Sequence, residues 1–496
     1  MSIQLSRRGF LASAAVSALA VGMAGVKIRS AFAAETAGLD AISQAKLVAK
    51  GEATSLELVN AAIDRIEAVN PKVNAVVTET FDAAREKAAK GVLPESPLSG
   101  VPYLIKDLDD VKGVRTTHGS RLMAKTIAKD NSAMTTYADE AGLVILGKTN
   151  TPEFGLLATT ESLLLGPAHN PWGLDHSTGG SSGGAAAAVA SGMLPVAHAT
   201  DGGGSIRIPA SCCGVFGLKP SRGRMDLGGR PMPGDIGVQN CVSRSVRDSA
   251  MVFSLSEDRS DKAVFKPVGY VSEPVNRKLK IGFGTANYFG EEPDPEVKAA
   301  LENTAKLCAD LGHEIVEVKN PLNGEEFITK FLTVWASGPA QLVAMAKEKG
   351  LDPNQVLEPW TVGLAEFYAK KPKDAMQTSL AYFKQVEAQM DKFMSGFDVW
   401  LTPVLSSPPP KLGQQAPTVP FDTLYERTIQ YVAYTPVHNV AGTPAMSVPL
   451  SWSKAGLPIG SQFAARKGQE GLLYALALQL EQARPWADKH APVFAG

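Results

Sequence analysis

Apolar positions between residues 39 and 90 recur at helical spacing. Leu56, Val59, Ile63 and Ile66 fall on one stripe, which predicts two or three amphipathic helices packed on a core. The pattern then changes: Leu98–Leu108 reads as the first sheet strand, Leu143–Leu146 as a second, and the LPVAHA run at 194–199 as a third, all buried. AAAAVA at 185–190 is a good helix former closed by Gly192. A further helix is expected near Pro209, whose ring is tolerated in a first turn. KIGFG at 280–284, a helix around Glu296–Leu311 and a strand over His313–Lys319 form a strand–helix–strand unit.

Two other stretches stand out in the pattern. Residues 321–395 carry aromatics, Phe327, Phe331, Trp335 and Trp360 among them, within helix-forming sequence. Ordinary packing accounts for most, and some are expected to wall a ligand pocket, since such sites are largely apolar. The proline-rich segment Pro403–Pro420 is expected at the rim of that pocket. At the N-terminus, Ser6-Arg7-Arg8-Gly9-Phe10-Leu11 followed by the apolar run Leu11–Val26 reads as a twin-arginine export signal. That run falls short of the roughly 20 apolar residues a membrane-spanning helix needs. Ala31-Phe32-Ala33 supplies a small-x-small cleavage site, so residues 1–33 are expected to be removed and a bacterial periplasmic or secreted protein to remain.

Composition narrows the classes. A formal net charge of −1 gives no electrostatic reason to expect nucleic acid or an anionic membrane as partner. Four cysteines without C-x-x-C spacing argue against a zinc site or disulfide scaffold, although pairing of Cys241 with Cys308 stays open. Length alone suggests two or three domains.

The chemistry concentrates between Ser177 and Pro220. Two glycine-rich loops, Gly179–Gly184 and Gly202–Gly204, hold Ser181, Ser182 and Ser205 at or near helix N-termini. Backbone without Cβ atoms and unpaired N–H groups there favour developing negative charge. The serine-hydrolase elbow G-x-S-x-G fails around Ser205 at its last position. None of the seven histidines carries a local catalytic signature, and structural roles are expected for His169, His176 and His198. Lysine is the alternative base: GVPYLIKD places Lys106 directly after an apolar strand, where burial would lower its pKa.

GVPYLIKD, GGSSGG with its alanines, and TDGGGSIRIP closely resemble the amidase signature hydrolases, as do GLVILGKTNTPEF, FDVWLTPV, NVAGTPAMSVP and GLPIGSQ. The interval between the first serine of GGSSGG and the serine of DGGGSIR matches the family as well. The resemblance covers most of residues 38–490 and weakens between about 320 and 395. It implies one large α/β amidase signature domain over 34–496, with a mixed central sheet under helices on both faces and a more variable pocket-lining region at about 320–430. Carried over, it makes Ser205 the nucleophile, Ser181 the bridging serine in a cis peptide, and Lys106 the neutral base. The N–H groups of Gly202, Gly203, Gly204 and Ser205 would form the oxyanion hole, and Ser182 and Asp201 would brace the loops. The implied reaction is amide hydrolysis through an acyl-enzyme, without metal or organic cofactor. AHATDGGGSIRIPASCCGVFGLKPSRGR and HNPW point to the cyclic-dimer hydrolase and broad acylamidase branch, hence to small linear, cyclic or aryl amides. Esters and carbamates are the alternative substrates. The expected partner is a small-molecule amide, with a homodimer left open, no nucleic acid, and no stable membrane anchor after signal removal.

One motif competes. Gly142–Thr149 satisfies the phosphate-loop pattern G-x-x-x-x-G-K-[ST]. Its four central residues are large and aliphatic, and Asn150-Thr151-Pro152 intervenes where a helix should open, so Lys148 is expected to be structural. A nucleotide-binding protein and a non-catalytic periplasmic binder are the readings from other classes.

Overall fold

The computed structural model of the chain describes residues 31–225 and 234–496. The twin-arginine pattern and the apolar run after it lie outside them. Ala33, at the expected cleavage site, is buried, and its carbonyl accepts a hydrogen bond from Arg65 Nη1 at 3.0 Å.

Helix α1 (Ser55–Val73) begins where Thr54 and Glu57 cap each other reciprocally, Glu57 N–H to Thr54 Oγ1 at 3.2 Å and Thr54 N–H to Glu57 Oε2 at 2.7 Å. Its predicted stripe is real: Val59, Ile63 and Ile66 are buried and Leu56 packs beside them. Strands β1 (Val76–Glu79), β2 (Pro102–Lys106) and β3 (Val144–Thr149) make a three-stranded sheet in the order β1-β3-β2. Helix α2 (Gly183–Ala190) leads into β4 (Val196–Asp201), and helix α3 (Arg207–Cys213) into β5 (Phe216–Lys219) and β6 (Val238–Ser243). The expected strand–helix–strand unit follows as β7 (Lys280–Phe283), α4 (Pro295–Asp310) and β8 (Glu314–Glu317). Helices α5 (Gly324–Trp335) and α6 (Pro359–Ala369) precede β9 (Val399–Pro403); α7 (Phe421–Tyr431) precedes β10 (Ala445–Trp452) and β11 (Pro458–Ala464).

These last strands join an eight-stranded sheet ordered β8-β7-β9-β11-β10-β5-β6-β4. It is mixed: β7 runs parallel to β8 and β9, and the remaining pairs are antiparallel. Every residue of β9 and β11 is buried. Side chains alternate between faces, so unbroken burial means both faces of the sheet centre are covered. The small sheet meets the large one at β2 and β4, where the Lys106 N–H donates to His198 Nδ1 at 3.2 Å. Lys106 therefore ends its strand at the seam between the two sheets.

No helix among the described residues is long and apolar enough to cross a membrane. All four cysteines are free and buried, so Cys241 and Cys308 do not pair. Gly142–Thr149 does not form a phosphate loop: Val144–Thr149 is strand, and only a short turn at Glu153–Gly155 follows. Lys148 is buried, 3.2 Å from Asp107 Oδ1 and 3.0 Å from Thr116 Oγ1.

Candidate active site

Lys106 is enclosed on all sides. Its Nζ lies 2.7 Å from Ser181 Oγ, 2.8 Å from Ser182 Oγ and 2.9 Å from Thr200 Oγ1. Burial lowers its pKa from 10.5 to about 7, against the opposing pull of the Asp109 and Asp201 carboxylates. Directly behind it, the buried His198 accepts from the Lys106 backbone through Nδ1 and faces Gln239 Oε1 at 3.0 Å through Nε2. That pairing fixes a neutral imidazole with its proton on Nε2, and burial keeps its pKa below the ordinary value. His198 is thus a structural histidine, as expected.

Ser181 follows a cis peptide bond, Gly180–Ser181. The loop threads so tightly that a Cβ on Gly180 would sit 2.7 Å from the Thr159 carbonyl oxygen and 2.8 Å from that of Leu157. Ser182 is the residue preceding α2 and ties the two glycine loops together. Its N–H donates to the Ser205 carbonyl at 3.3 Å, its Oγ donates to the Thr200 carbonyl at 3.2 Å, and it accepts from the Thr200 N–H at 3.2 Å. The proline-rich segment expected at the pocket rim lines neither cavity described below; it braces this loop from behind, with the Pro410 carbonyl accepting from Ser177 N–H at 2.8 Å.

The second loop is built around Asp201. Both carboxylate oxygens are held by Arg207, with Nη2 and Nε each at 2.9 Å, and Oδ1 also accepts from Asn439 Nδ2 at 2.8 Å. Burial alone would raise this carboxyl, but the Arg207 guanidinium beside it holds it well below the ordinary carboxylate range. The same carboxylate accepts from the N–H of Gly204 at 2.8 Å and of Ile206 at 3.2 Å, so it dictates the turn that presents Ser205. Gly204 sits at φ 136° with Thr435 Oγ1 only 2.3 Å from where a Cβ would stand. The Gly204 N–H is turned inward to Asp201, whereas the N–H groups of Gly202, Gly203 and Ser205 have no acceptor among the described residues.

Ser205 stands where two cavities meet. One is a cleft of about 850 Å³ whose wall includes Asp109, Ser181, Thr200, Gly202, Arg222 and Gln239. The other is a pocket of about 60 Å³ with an apolar wall that includes Leu157, Ile208, Phe331, Trp335 and Trp360. The aromatic region therefore contributes Phe331, Trp335 and Trp360 to the site, whereas Phe327 and Tyr382 lie in the core beside it. The Ser205 hydroxyl makes no hydrogen bond among the described residues and faces both spaces.

Sequence reading missed Thr200, Arg207 and Asn439. Arg207 and Thr200 stand inside TDGGGSIRIP and Asn439 opens NVAGTPAMSVP, but their partners are set by a turn and by a contact spanning 238 residues, which no local pattern encodes.

A buried amine against a serine hydroxyl, beside a second serine on a glycine turn with free N–H groups, defines the site of an acyl-transfer hydrolase. The comparisons specify which kind. The amidase family profile matches residues 57–474, and the chain belongs to the amidase signature family: it is an amidase, a hydrolase of carbon–nitrogen bonds. AmiC of Mycobacterium tuberculosis is 39% identical over 459 residues, spanning 92% of this chain and 96% of its own. The acylamidase of Rhodococcus erythropolis is 34% identical over 481 residues, spanning 91% and 96%. The solved structure of 6-aminohexanoate cyclic dimer hydrolase complexed with substrate superposes with a TM-score of 0.85 at 31% identity, covering 92% of this chain and 99% of that one.

Proposed function

We propose that Ser205 attacks the amide carbonyl, with Ser181 passing its proton to neutral Lys106. The observation that carries this reading is the 2.7 Å contact between Lys106 Nζ and Ser181 Oγ in a site dry enough to bring the lysine pKa to about 7. Lowering an amine from 10.5 to about 7 costs the fold about 5 kcal/mol at about 1.4 per unit, and leaves a base that is half neutral near pH 7. A neutral amine has two protons and one lone pair. Ser182 Oγ gives its own proton to the Thr200 carbonyl and so accepts from the lysine; Thr200 Oγ1 takes the second N–H. The lone pair is left for the Ser181 O–H, and the Ser181 oxygen is then free to receive the proton of Ser205.

As the alkoxide attacks, charge develops on the carbonyl oxygen, and the N–H groups of Gly202, Gly203 and Ser205 are the donors placed for it. Each such donor is worth about 10²–10³ in rate. The relay runs backwards to protonate the departing nitrogen, and water then cleaves the acyl-enzyme. The cavities suggest how a substrate divides: a compact apolar acyl or aryl group enters the pocket of about 60 Å³, and the larger, polar leaving portion occupies the cleft of about 850 Å³. Small linear, cyclic and aryl amides fit this division, and the relatives include an acylamidase and a hydrolase of a 6-aminohexanoate cyclic dimer. The twin-arginine pattern at residues 6–11 supports export of this enzyme to the periplasm, which fractionation of cells carrying wild-type and Arg7→Lys/Arg8→Lys chains tests.

A fluorophosphonate probe separates this enzyme from a mere binder. Labelling of wild type that disappears in Ser205→Ala, together with loss of at least about 10³-fold in amide turnover, is the expected result. Unchanged turnover in Ser205→Ala removes the nucleophile assignment. The same screen over anilides, aliphatic amides, carbamates and esters fixes the substrate class.

A further inference from the structure

Of the charged groups lining the cleft that the mechanism leaves unused, Asp109, Arg222 and Asp235, Asp109 alone is buried. Asp109 lies three residues beyond Lys106, its N–H bonded to the Lys106 carbonyl at 3.0 Å, which turns the chain so that Leu108 and Asp109 line the cleft. Only 6% of Asp109 is exposed. Yet among the described residues nothing donates a hydrogen bond to its carboxylate and no ion pair holds it; the neighbouring Asp107 takes both Lys148 and Thr117 instead. A carboxylate nine-tenths withdrawn from water and left without a partner is expensive to maintain. The other acid deep in this wall, Asp201, is saturated by Arg207 and Asn439. Of these two buried acids, Asp109 is the one whose oxygens are open to what enters the cleft.

Its side of the site is also defined. Asp109 shares the cleft wall with Ser181 and Thr200 and is absent from the apolar pocket. Its charge reaches Lys106, where it opposes the effect of burial. The proton that returns through Ser181 goes to the departing nitrogen, so the leaving portion of the substrate lies on this face. Resting on the amidase reading above, we propose that Asp109 binds a second, protonated amine carried on the leaving group, making monoacylated aliphatic diamines the preferred substrates. The acyl group occupies the apolar pocket, the scissile C–N bond lies over Ser205, and a short methylene chain carries the ammonium to Asp109. Cleavage transfers the acyl carbon to Ser205, the released nitrogen takes the relay proton, and a free diamine departs before water regenerates the serine. With its countercharge supplied by the ammonium, Asp109 no longer favours the protonated form of Lys106, so a substrate of this class also helps keep the base neutral.

The test pairs N-hexanoyl-diaminopentane with the neutral N-hexanoyl-aminopentanol at about pH 8, where Lys106 is mostly neutral and a primary ammonium is charged. Wild type is expected to favour the cationic amide by about 10-fold or more in kcat/KM. In Asp109→Asn that ratio falls towards one, and in Asp109→Glu part of it returns. Calorimetry with free diaminopentane on Ser205→Ala, with and without Asp109→Asn, reads the same subsite without any turnover. Equal rates for the two amides in wild type, or a preference that survives Asp109→Asn, overturns the inference. If wild type cleaves neither amide while turning over another amide, the substrate preference is overturned, and calorimetry still decides the cation site: diamine binding that survives Asp109→Asn removes it.

Discussion

Lys106 is surrounded by three hydroxyls, and in the proposed relay only Ser181 carries a proton across while Thr200 holds one lysine N–H aside. Replacing Thr200 with Val removes the acceptor for one lysine N–H, lets the lone pair wander, and is expected to lower kcat about 10-fold with little change in KM; Thr200→Ser restores it. The pH profile separates this from simple damage. Activity should rise through about pH 7, because the base works only when deprotonated and its folded pKa lies there. Thr200 Oγ1 also accepts from the charged form, so its loss disfavours the ammonium further and moves that limb to lower pH. An unshifted limb in Thr200→Val, read from kcat/KM against pH, would show that the hydroxyl only fills space. Lys106 itself was legible because an apolar strand ended in a lysine. Thr200 was not, because its meaning depends on where two glycine loops cross.

At the scale of elements, the turn from Gly202 to Ile206 is held from outside itself. Asp201 gathers two of its N–H groups, and Arg207 and Asn439 hold Asp201 in turn. Asn439→Ala is therefore expected to cut kcat by about 10-fold or more, while fluorophosphonate labelling of Ser205 slows in parallel, since the oxyanion donors lose their setting. A labelling rate equal to wild type would refute this. Helices and strands of this region were well marked in the sequence: AAAAVA became α2, LPVAHA supplied β4, and α3 opened at Arg207, two residues before the proline that announced it. Loops were less readable. The segment Pro403–Pro420 has the composition of a rim but packs behind Ser177, and the Gly204 N–H faces its own chain because an acidic side chain three residues back reaches it first. Periodicity reports which face is buried, and it is silent about what a buried polar group will choose as partner.

Across the whole molecule, the wall of the apolar pocket is tied to the catalytic seam by two buried carboxyls. Glu153 begins the turn that carries Phe154 into the cleft and accepts from Ser120 Oγ at 2.6 Å and from the Glu358 N–H at 2.8 Å. Glu358 stands at the start of α6, the helix of Trp360, whose indole donates to the Leu156 carbonyl at 3.1 Å. Burial, and Glu153 close by, push the Glu358 carboxyl from 4.5 up to about 8. A carboxyl raised in the fold keeps its proton there while the unfolded chain releases it. Its contribution to stability is therefore whole below about pH 4.5 and drains away as pH climbs to about 8. Glu358→Gln, which keeps an acceptor for the Leu163 N–H, should flatten the decline of Tm between these limits and raise Tm at pH 8 by about 2 °C or more. A slope identical to wild type in a thermal-shift series would count against it.

The ring of contacts around Asp201 has a consequence for how the enzyme comes into being. Ribosomes deliver Lys106, Ser181 and Ser205 long before Thr435, Asn439 and Gln462, yet Arg207 leans on all three of the latter. A nascent chain that already carries the three residues of the proposed relay still lacks the struts that hold Arg207 and, through it, the Ser205 turn. On that proposal, hydrolytic power waits for the final quarter of the polypeptide to dock.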